Sequence, residues 1–392
     1  KLLIEINNNQ FIFAVIGINE SGNYKLIYKI LVPIEGIDNE KIFDIDSVYT
    51  LFKKNIFLLE QKLNITFKEA VIILDNFNLS QINFSGFKKL NGSQLVKENI
   101  TYIINSLKSK VTEIEFDKTI LHIFNAKFIL DKKKIENLPI GLFGNFYSQE
   151  LSFLLIKKND YKNIQSIFNK CNLKIKKIIS KDFIEGAKII KENNNLNTFI
   201  NIKINENYSR IIFFENASLK FIQQFYFGSE TIIKDISKVI GLKTEIVKNI
   251  LLNSSFTKDS LEKDNLEEKF FEKSKFKNIR KKLIFDVAKA RIQELSELIL
   301  TKNINMNSFL KNDTPIFLNI EDKLNFECFN EDYKSFFSAE NIKRLNFLRD
   351  ISFEDTYFNA HSIVQYGWNK EAVPIVQEKS SILSRFFNIF FK

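Results

Sequence analysis

The sequence predicts an α/β fold in which a unit of three strands, a helix and a further strand occurs twice. Apolar residues that run continuously or alternate indicate strands, and apolar residues at helical spacing indicate helices. The first copy is expected at Lys1–Ile6, Phe11–Ile18, Tyr24–Val32, Ser47–Leu63 and Ala70–Leu74. About 200 residues later the order returns, with strands at Asn197–Ile204, Ser209–Phe214 and Leu219–Tyr226.

The remaining segments also have periodic patterns. Helices are expected at Asn91–Ser109, Tyr161–Cys171, Phe183–Lys191, Thr231–Ile240, Thr244–Leu252, Phe285–Leu300 and His361–Trp368. Further strands are expected at Thr119–Leu130, Gln149–Ile156, Lys174–Ile179 and Ile316–Leu318. The strand segments therefore alternate with helices throughout the chain, as in two-lobed α/β proteins.

Composition excludes several classes of function. The 392-residue chain is 45% hydrophobic, so it is globular, and its net charge of +10 comes from scattered lysines rather than a basic block, which argues against nucleic acid. Two cysteines and two histidines form no metal spacing and no catalytic cluster, which favours a reduced cytoplasmic protein. The apolar run Phe11–Ile18 is far shorter than the roughly 20 residues that span a bilayer. Because the chain begins at Lys1, we expect a few residues to precede it.

The last thirteen residues, 380–392, are predicted to form an amphipathic helix that lies on a membrane surface. Residues at i, i+1, i+4, i+5, i+8 and i+9 share one helix face. The predicted membrane-binding residues are the apolar Ile382, Leu383, Phe386, Phe387, Phe390 and Phe391 together with the cationic Arg385 and Lys392. The segment 369–379, with Glu371 and Pro374, is expected to be a linker. Docking of this helix on the protein's own core remains the alternative.

Several motifs resemble those of one protein family. Leu121–Asp131 followed by Asn137–Gly144 is similar to L-H-x-x-P-x-x-[YF]-x-[IL]-D followed by N-P-x-G-[LM]-x-G, with Asn125 in place of Pro and Leu138 inserted. This is a pattern of the bacterial cell-division protein FtsA, a member of the actin-like ATPase superfamily. Further matching segments are Gly228–Ser237, Thr244–Lys248, Ala290–Ile299 and Phe358–Gly367. By resemblance the chain is identified as a divergent FtsA.

The resemblance implies an actin-like fold, a duplicated ribonuclease-H-like α/β architecture with two lobes, an inserted SHS2-type small domain and a C-terminal amphipathic helix. Lobe 1 is then expected at 1–80 plus 157–197, with the SHS2-like subdomain at 81–156. Lobe 2 is expected at 198–235 plus 314–368, with its own inserted subdomain at 236–313. The linker and the membrane-targeting helix follow at 369–379 and 380–392.

The phosphate-binding turns of the superfamily have lost their glycines. The first turn reads Glu5–Asn9, the second Lys203–Tyr208 and the third Asn319–Asp322, and none of them contains glycine. Glycine lets the backbone approach a phosphate closely. We therefore expect a degenerate nucleotide cleft without hydrolysis and without catalytic or metal-binding residues, although ATP binding stays possible by resemblance. The residues that match the family's nucleotide site are Gly228, Asp235, Glu245 and Lys248, the last two of which can equally form a surface ion pair.

The resemblance also implies partners. The subdomain at 236–313 would receive the acidic C-terminal tail of FtsZ, with Arg291 as the expected contact and Lys282 and Lys289 nearby; a plain ion pair between Arg291 and Glu294 is the alternative. Self-association into an actin-like polymer, other divisome proteins and an anionic membrane surface are the other expected partners. The expected location is the cytoplasmic face of the cell membrane at the division septum. A pilus-assembly scaffold related to FtsA and an active actin-like ATPase remain alternatives.

Overall fold

The computed structural model describes residues 1–372 except 8, 20–22, 39–40, 76, 78, 194–195, 257–259, 262–263, 272–276, 310–313, 321–325, 339–344 and 348–352. The chain divides into two compact units. The first contains Lys1–Ala187 and the chain from Glu354 onward, and the second contains Lys188–Phe353. No helix in the described part is long and apolar enough to cross a bilayer.

The first unit begins with a five-stranded sheet in the order β3-β2-β1-β6-β11. Its elements are β1 Leu2–Ile6, β2 Gln10–Ile18, β3 Tyr24–Pro33, β4 Ile37–Asp38, β5 Lys41–Ile42, α1 Ile45–Leu63 and β6 Glu69–Leu74. The first three strands are antiparallel, whereas β6 pairs with β1 in parallel. The strand expected at Lys174–Ile179 is β11 and pairs with β6 in parallel. The predicted meander, helix and buried strand are therefore confirmed.

Local sequence explains where α1 begins and ends. The Asp44 carboxylate accepts hydrogen bonds from the backbone N–H groups of Asp46 and Ser47, and this cap starts the helix two residues before the predicted position. The helix ends at Asn64, which has the left-handed conformation that asparagine tolerates. On the buried face, the Phe52 ring packs edge-on against Phe11 and Phe168. These contacts fix α1 on the sheet.

A small subdomain is inserted between β6 and the next helix of the first unit. It consists of β7 Ser80–Lys89, α2 Lys97–Ile114, β8 Lys118–Leu130, β9 Lys133–Ile135 and β10 Phe146–Lys157. The strands form an antiparallel sheet in the order β7-β10-β8-β9, and α2 packs Ile100, Ile103, Leu107 and Val111 into its core. The elements that follow are α3 Lys158–Lys170, β11 Lys174–Ser180 and α4 Lys181–Glu192.

The second unit repeats the sheet plan of the first. Its elements are β12 Phe199–Ile204, β13 Ser209–Glu215, β14 Ser218–Phe225, α5 Glu230–Ile240, α6 Thr244–Asn253, α7 Lys281–Ser296, β15 Ile316–Ile320, α8 Asn330–Phe337 and β16 Leu345–Phe347. The order β14-β13-β12-β15-β16 again places an antiparallel meander beside two parallel strands. The core joins β12 to α5, α6 and α7 through residues such as Ile202, Ile236 and Ile292. Two sheets with one strand order confirm the duplicated α/β fold.

The last helix, α9 at Phe353–Tyr366, corrects one predicted boundary. The sequence analysis assigned 314–368 to lobe 2, but α9 groups with the first unit. The Tyr357 hydroxyl donates to Glu5 and the Asn359 amide donates to the carbonyl of Ile184. That assignment was wrong because contacts made so far apart in the sequence leave no local signal.

Candidate functional site

In the first unit, polar groups collect where the parallel strands β1, β6 and β11 end. The Lys181 ammonium donates to Glu5 Oε1 at 3.1 Å and to Asp75 Oδ2 at 2.7 Å. The Tyr357 hydroxyl donates to Glu5 Oε2 at 2.7 Å. Glu5 is only 1% exposed, so its charge depends on these donors. We call Glu5, Asp75, Lys181 and Tyr357 the carboxylate–lysine cluster.

The protonation state of Tyr357 follows from its surroundings. Burial raises the pKa of this phenol well above 10, and the neighbouring Glu5 carboxylate raises the pKa further. Tyr357 therefore stays protonated and keeps its hydrogen bond to Glu5 at physiological pH. The cluster as a whole is a set of two carboxylates, one ammonium and one neutral donor that satisfy one another.

The first predicted phosphate turn is closed by its own asparagine. Asn7 Oδ1 accepts hydrogen bonds from the backbone N–H groups of Asn9 at 2.9 Å and Gln10 at 2.8 Å. Asn7 Nδ2 points back to Glu5 Oε1 at 3.3 Å. An Asx turn of this kind preserves the link between β1 and β2. The N–H groups that an anion-binding turn offers to a phosphate are therefore bound to Asn7.

The second predicted phosphate turn, between β12 and β13, is bonded to the start of α5. The N–H groups of Ser229 and Glu230 donate to the carbonyls of Asn205 and Glu206, each at 2.9 Å. A Cβ atom on Gly228 would lie 2.0 Å from Asn205 O, so only glycine allows this approach. The backbone donors at the beginning of α5, the natural place for an anion, are thus used by the turn itself.

The other nucleotide-site candidates lie close to this turn or on exposed surface. Lys248 on α6 forms an ion pair with Glu206 of the turn, whereas Glu245 on the same helix is exposed. Lys203, the first residue of the second predicted turn, is buried in β12 and lies opposite Arg210 in the strand register. Asn319 of the third turn lies in β15, and Glu321 and Asp322 fall outside the described residues.

The structure joins two residues that were predicted to have separate roles. Asp235 on α5, a nucleotide-site candidate, is paired with Arg291 on α7, the candidate contact for an acidic tail. Arg291 also pairs with Glu294 at 2.6 Å, which is the alternative that the sequence left open. The guanidinium thus lies between two carboxylates and is 29% exposed.

The two flanking lysines differ in their environments. Lys289 lies 3.2 Å from Asp332 on α8, and Lys282 is exposed on the outer face of α7. The predicted membrane-binding residues Ile382, Leu383, Arg385, Phe386, Phe387, Phe390, Phe391 and Lys392 all lie outside the described part of the chain. Among the residues that the structure describes, no cluster of three or more His, Cys, Asp or Glu is arranged to hold a metal.

Asp75, Lys181, Tyr357 and Glu206 are missing from the predicted site residues. Asp75 and Lys181 each follow a predicted strand, and parallel strands bring the residues at their carboxyl ends together. That rule, applied to Ala70–Leu74 and Lys174–Ile179, identifies both residues beside Glu5. The sequence carries no comparable signal for Tyr357 or Glu206.

Comparisons with known proteins agree with this architecture. No protein-family model matches the chain. The Cell division protein FtsA of Buchnera aphidicola subsp. Schizaphis graminum (strain Sg) is 22% identical over 298 residues, 76% of this chain and 71% of that protein. FtsA of Buchnera aphidicola subsp. Acyrthosiphon pisum (strain APS) is 21% identical over 310 residues, 78% of this chain and 73% of that protein. A solved PilM-PilN type IV pilus biogenesis complex superposes with a TM-score of 0.54 at 9% identity, over 94% of this chain and 97% of that one.

The duplicated sheets and the structural match define an actin-like fold. Within that class, the match to the pilus protein shows the fold alone because so few residues are identical. The sequence matches are more specific. By sequence the chain is similar to the cell-division protein FtsA.

Proposed function

We propose that this chain is a cell-division scaffold that tethers the FtsZ ring to the inner face of the cytoplasmic membrane, helps recruit other divisome proteins and does not hydrolyse ATP. The relation to FtsA over about three quarters of the chain is the observation that carries the tethering role. The expected site of action is the septum, with the protein bound peripherally. Self-association into an actin-like polymer would place many anchors side by side and strengthen membrane binding through avidity.

The proposed loss of ATPase activity is supported by what the chain places at the two predicted phosphate turns. In the first unit the turn donors are bound to Asn7, and the Lys181 ammonium neutralises Glu5 and Asp75. In the second unit the N–H groups of Ser229 and Glu230 are bound to carbonyls. A triphosphate would have to break these internal bonds, and no glycine provides the space for it. The residues present do not fit Mg-ATP.

Calorimetry and turnover measurements test this part. We expect Mg-ATP titrated into the full chain to give no heat of binding and phosphate release to stay at the level of the buffer. Micromolar affinity would contradict the closed-turn argument, and release of phosphate by the purified protein would contradict the absence of hydrolysis. The variant Asn7→Gly, which frees the turn donors, is the informative comparison, since weak binding gained there would support the role of Asn7.

The proposed binding of the FtsZ tail is supported by two cationic side chains of α7 that remain accessible to solvent. Lys282 is exposed, and Arg291 retains partial exposure between its two carboxylates. Because Asp235 and Glu294 already neutralise Arg291, an acidic peptide must compete with them. We expect Lys282→Glu to weaken binding of a synthetic FtsZ-tail peptide chiefly by slowing association.

Arg291→Glu tests the carried-over contact, with Lys302→Glu as the matched charge reversal at the end of the same helical segment. We expect loss of peptide binding in Arg291→Glu and normal binding in Lys302→Glu, as measured by fluorescence anisotropy. Since Arg291→Glu also breaks the pair with Asp235, its unfolding midpoint has to be measured alongside. A folded Arg291→Glu protein that binds the peptide normally would remove this residue from the interface.

The membrane anchor is tested by the pattern of its two faces. We expect Phe386→Ser combined with Phe390→Ser to abolish sedimentation with anionic vesicles, because each large buried side chain contributes roughly 1.5–3 kcal/mol. The matched control, Ser384→Ala combined with Asn388→Ser, changes only the polar face and should bind as the unmodified chain does. The anchor is ruled out if the variant with Phe386→Ser and Phe390→Ser binds vesicles as well as the control variant does. It is likewise ruled out if a chain without 380–392 binds them as well as the unmodified chain does.

A further inference from the structure

A short segment that follows α9 is built into the sheet of the inserted subdomain. The N–H of Asn125 donates to the carbonyl of Lys370 at 2.7 Å, and the N–H of Ala372 donates to the carbonyl of Ile123 at 2.7 Å. Glu371 thereby forms an antiparallel bridge with Phe124. β9 pairs with β8 only at residues 128–130, so this segment occupies the part of the β8 edge that β9 leaves open. Residues 370–372 of the predicted linker 369–379 are therefore docked on β8 through their backbone.

Side chains strengthen this docking from both ends of the segment. The Lys370 ammonium donates to the carbonyl of Glu136 at 2.8 Å. Ala372 is buried in the same core as Ile123 and Leu138. Just before the segment, the Trp368 ring lies edge-on to Phe183, with centroids 6.0 Å apart. These contacts hold both the backbone and the flanking side chains in one place.

Glu371 adds a buried ionic contact between three parts of the first unit. Its Oε1 lies 2.8 Å from His122 Nδ1 on β8, and its Oε2 accepts from the Lys177 ammonium on β11 at 2.6 Å. Burial alone would raise the pKa of Glu371, but the bond to His122 and the charge of Lys177 outweigh it and lower that pKa. Burial also lowers the pKa of His122, so the neutral ring donates its Nδ1 proton to an ionised Glu371.

These contacts exceed what a passive linker requires. A linker needs length and polarity, whereas this segment has paired backbone, a buried alanine and a carboxylate held by two donors. Breaking such a carboxylate away from its donors is costly, because the buried His122 ring is left without this partner and Lys177, 28% exposed, loses its ion pair. The docked state is therefore the stable one, and undocking is a distinct step.

We propose that Lys370–Ala372 is a clamp that fixes the root of the C-terminal tail to the inserted subdomain and, through Lys177, to the main sheet. The tail beyond residue 372 then leaves from the edge of β8. Undocking would add the residues from Gly367 to Ala372 to the tether, about 20 Å of extended chain. The clamp thus sets how far the tail reaches from the first unit. The docking of 370–372 does not depend on the membrane anchor. The effect of the clamp on the reach of an anchor at 380–392 rests on the proposed function.

Hydrogen exchange on the full chain in solution, without vesicles, tests the clamp. The variant Glu371→Gln keeps the shape of the side chain but removes the charge that Lys177 neutralises. We expect the amides of Asn125 and Ala372 to exchange about tenfold faster in it, the effect of losing a hydrogen bond to a charged group. The control is Glu69→Gln, which removes the exposed partner of the neighbouring Lys176 and should leave both amides unchanged.

A second variant makes the test independent of side-chain chemistry. Ala372→Pro removes the N–H that donates to Ile123, and we expect the Asn125 amide to exchange faster there as well. Wild-type exchange at Asn125 in both variants would overturn the proposal. A chain without 380–392 should keep wild-type exchange at both amides, which separates a failure of the clamp from a failure of the membrane anchor. Fast exchange of the same amides in the unmodified protein would equally overturn the proposal.

Discussion

The carboxylate–lysine cluster makes a sharp prediction, because one ammonium neutralises two carboxylates. The variant Lys181→Met keeps a side chain of similar length but removes the ammonium charge. Glu5 then retains Tyr357 and Asn7 as donors, and Asp75 loses its 2.7 Å contact. Two like charges are left together in a largely buried site, which is unfavourable.

The magnitude follows from the burial of the three partners. Breaking a buried ion pair by removing one member costs about 3–5 kcal/mol. The side chains of Lys181, Glu5 and Asp75 are 20%, 2% and 12% exposed, so water screens part of the interaction. We expect Lys181→Met to lower the free energy of unfolding by about 2–4 kcal/mol at pH 7. Removing the Glu5 charge as well, in Lys181→Met combined with Glu5→Gln, should restore about 1–2 kcal/mol of that loss.

The chain carries a convenient reporter for this measurement. Trp368 is its single tryptophan and belongs to the first unit, so urea unfolding followed by tryptophan fluorescence reads that unit. The matched control is Lys176→Met, which removes an exposed lysine paired with Glu69 and should cost less than about 1 kcal/mol.

The reasoning fails if Lys181→Met unfolds within about 0.5 kcal/mol of the unmodified chain, the range of ordinary surface substitutions. It also fails if the double variant is no more stable than the single one at pH 7. Either result would mean that Glu5 and Asp75 do not depend on the ammonium for their stability.

Two further predictions concern the second turn and the packing of α9. Gly228→Ala should destabilise the second unit by about 2–4 kcal/mol, because the added Cβ would lie 2.0 Å from Asn205 O. The control Gly92→Ala meets nothing within 4 Å and should cost about 1 kcal/mol, because this residue has a positive φ. Urea unfolding followed by far-UV circular dichroism distinguishes the two variants, and equal losses of stability would contradict the prediction. Burial, with the Lys1 charge nearby, lowers the pKa of His361 to about 4. The unfolded chain therefore binds more protons than the folded chain below pH 6.5. The free energy of unfolding should consequently fall by about 1–2 kcal/mol between pH 6.5 and 4, after allowance for solvent screening. His361→Phe, which keeps a ring against Tyr24, should show a smaller fall over that range, and an identical pH profile would refute the assignment.

Much of the fold was accessible from the sequence because its strands have strong local patterns. Leu2–Ile6 and Phe199–Ile204 are fully buried segments made mostly of apolar residues, and the polar turns between strands mark the meanders. The pairing of α9 with the first unit was not accessible, because the bond from Tyr357 to Glu5 joins residues 352 positions apart. Likewise, nothing in 369–379 indicates that Glu371 meets His122 and Lys177.

The candidate site was predicted in part for a similar reason. The loss of glycine from the first two turns is visible in the sequence, and it predicts a degenerate nucleotide cleft whose turns are closed in the structure by bonds that the sequence does not indicate. What closes them is not visible. Asp235 and Arg291 match separate family motifs, and only the crossing of α5 and α7 brings their side chains together. Burial of Glu5 together with Asp75 and Lys181 depends on the parallel pairing of β1, β6 and β11.

The bond between Glu5 and Tyr357 has a consequence for synthesis of the protein. The strand β1 leaves the ribosome long before α9, so the Glu5 carboxylate lacks its buried donor Tyr357 until α9 has been made. During translation the amino-terminal sheet can collapse, yet its polar centre stays incompletely paired. A nascent chain stalled before residue 357 should consequently be more sensitive to protease within β1 and β2 than the released protein is. Completion of the first unit is thus tied to the synthesis of α9 rather than to the emergence of its own strands.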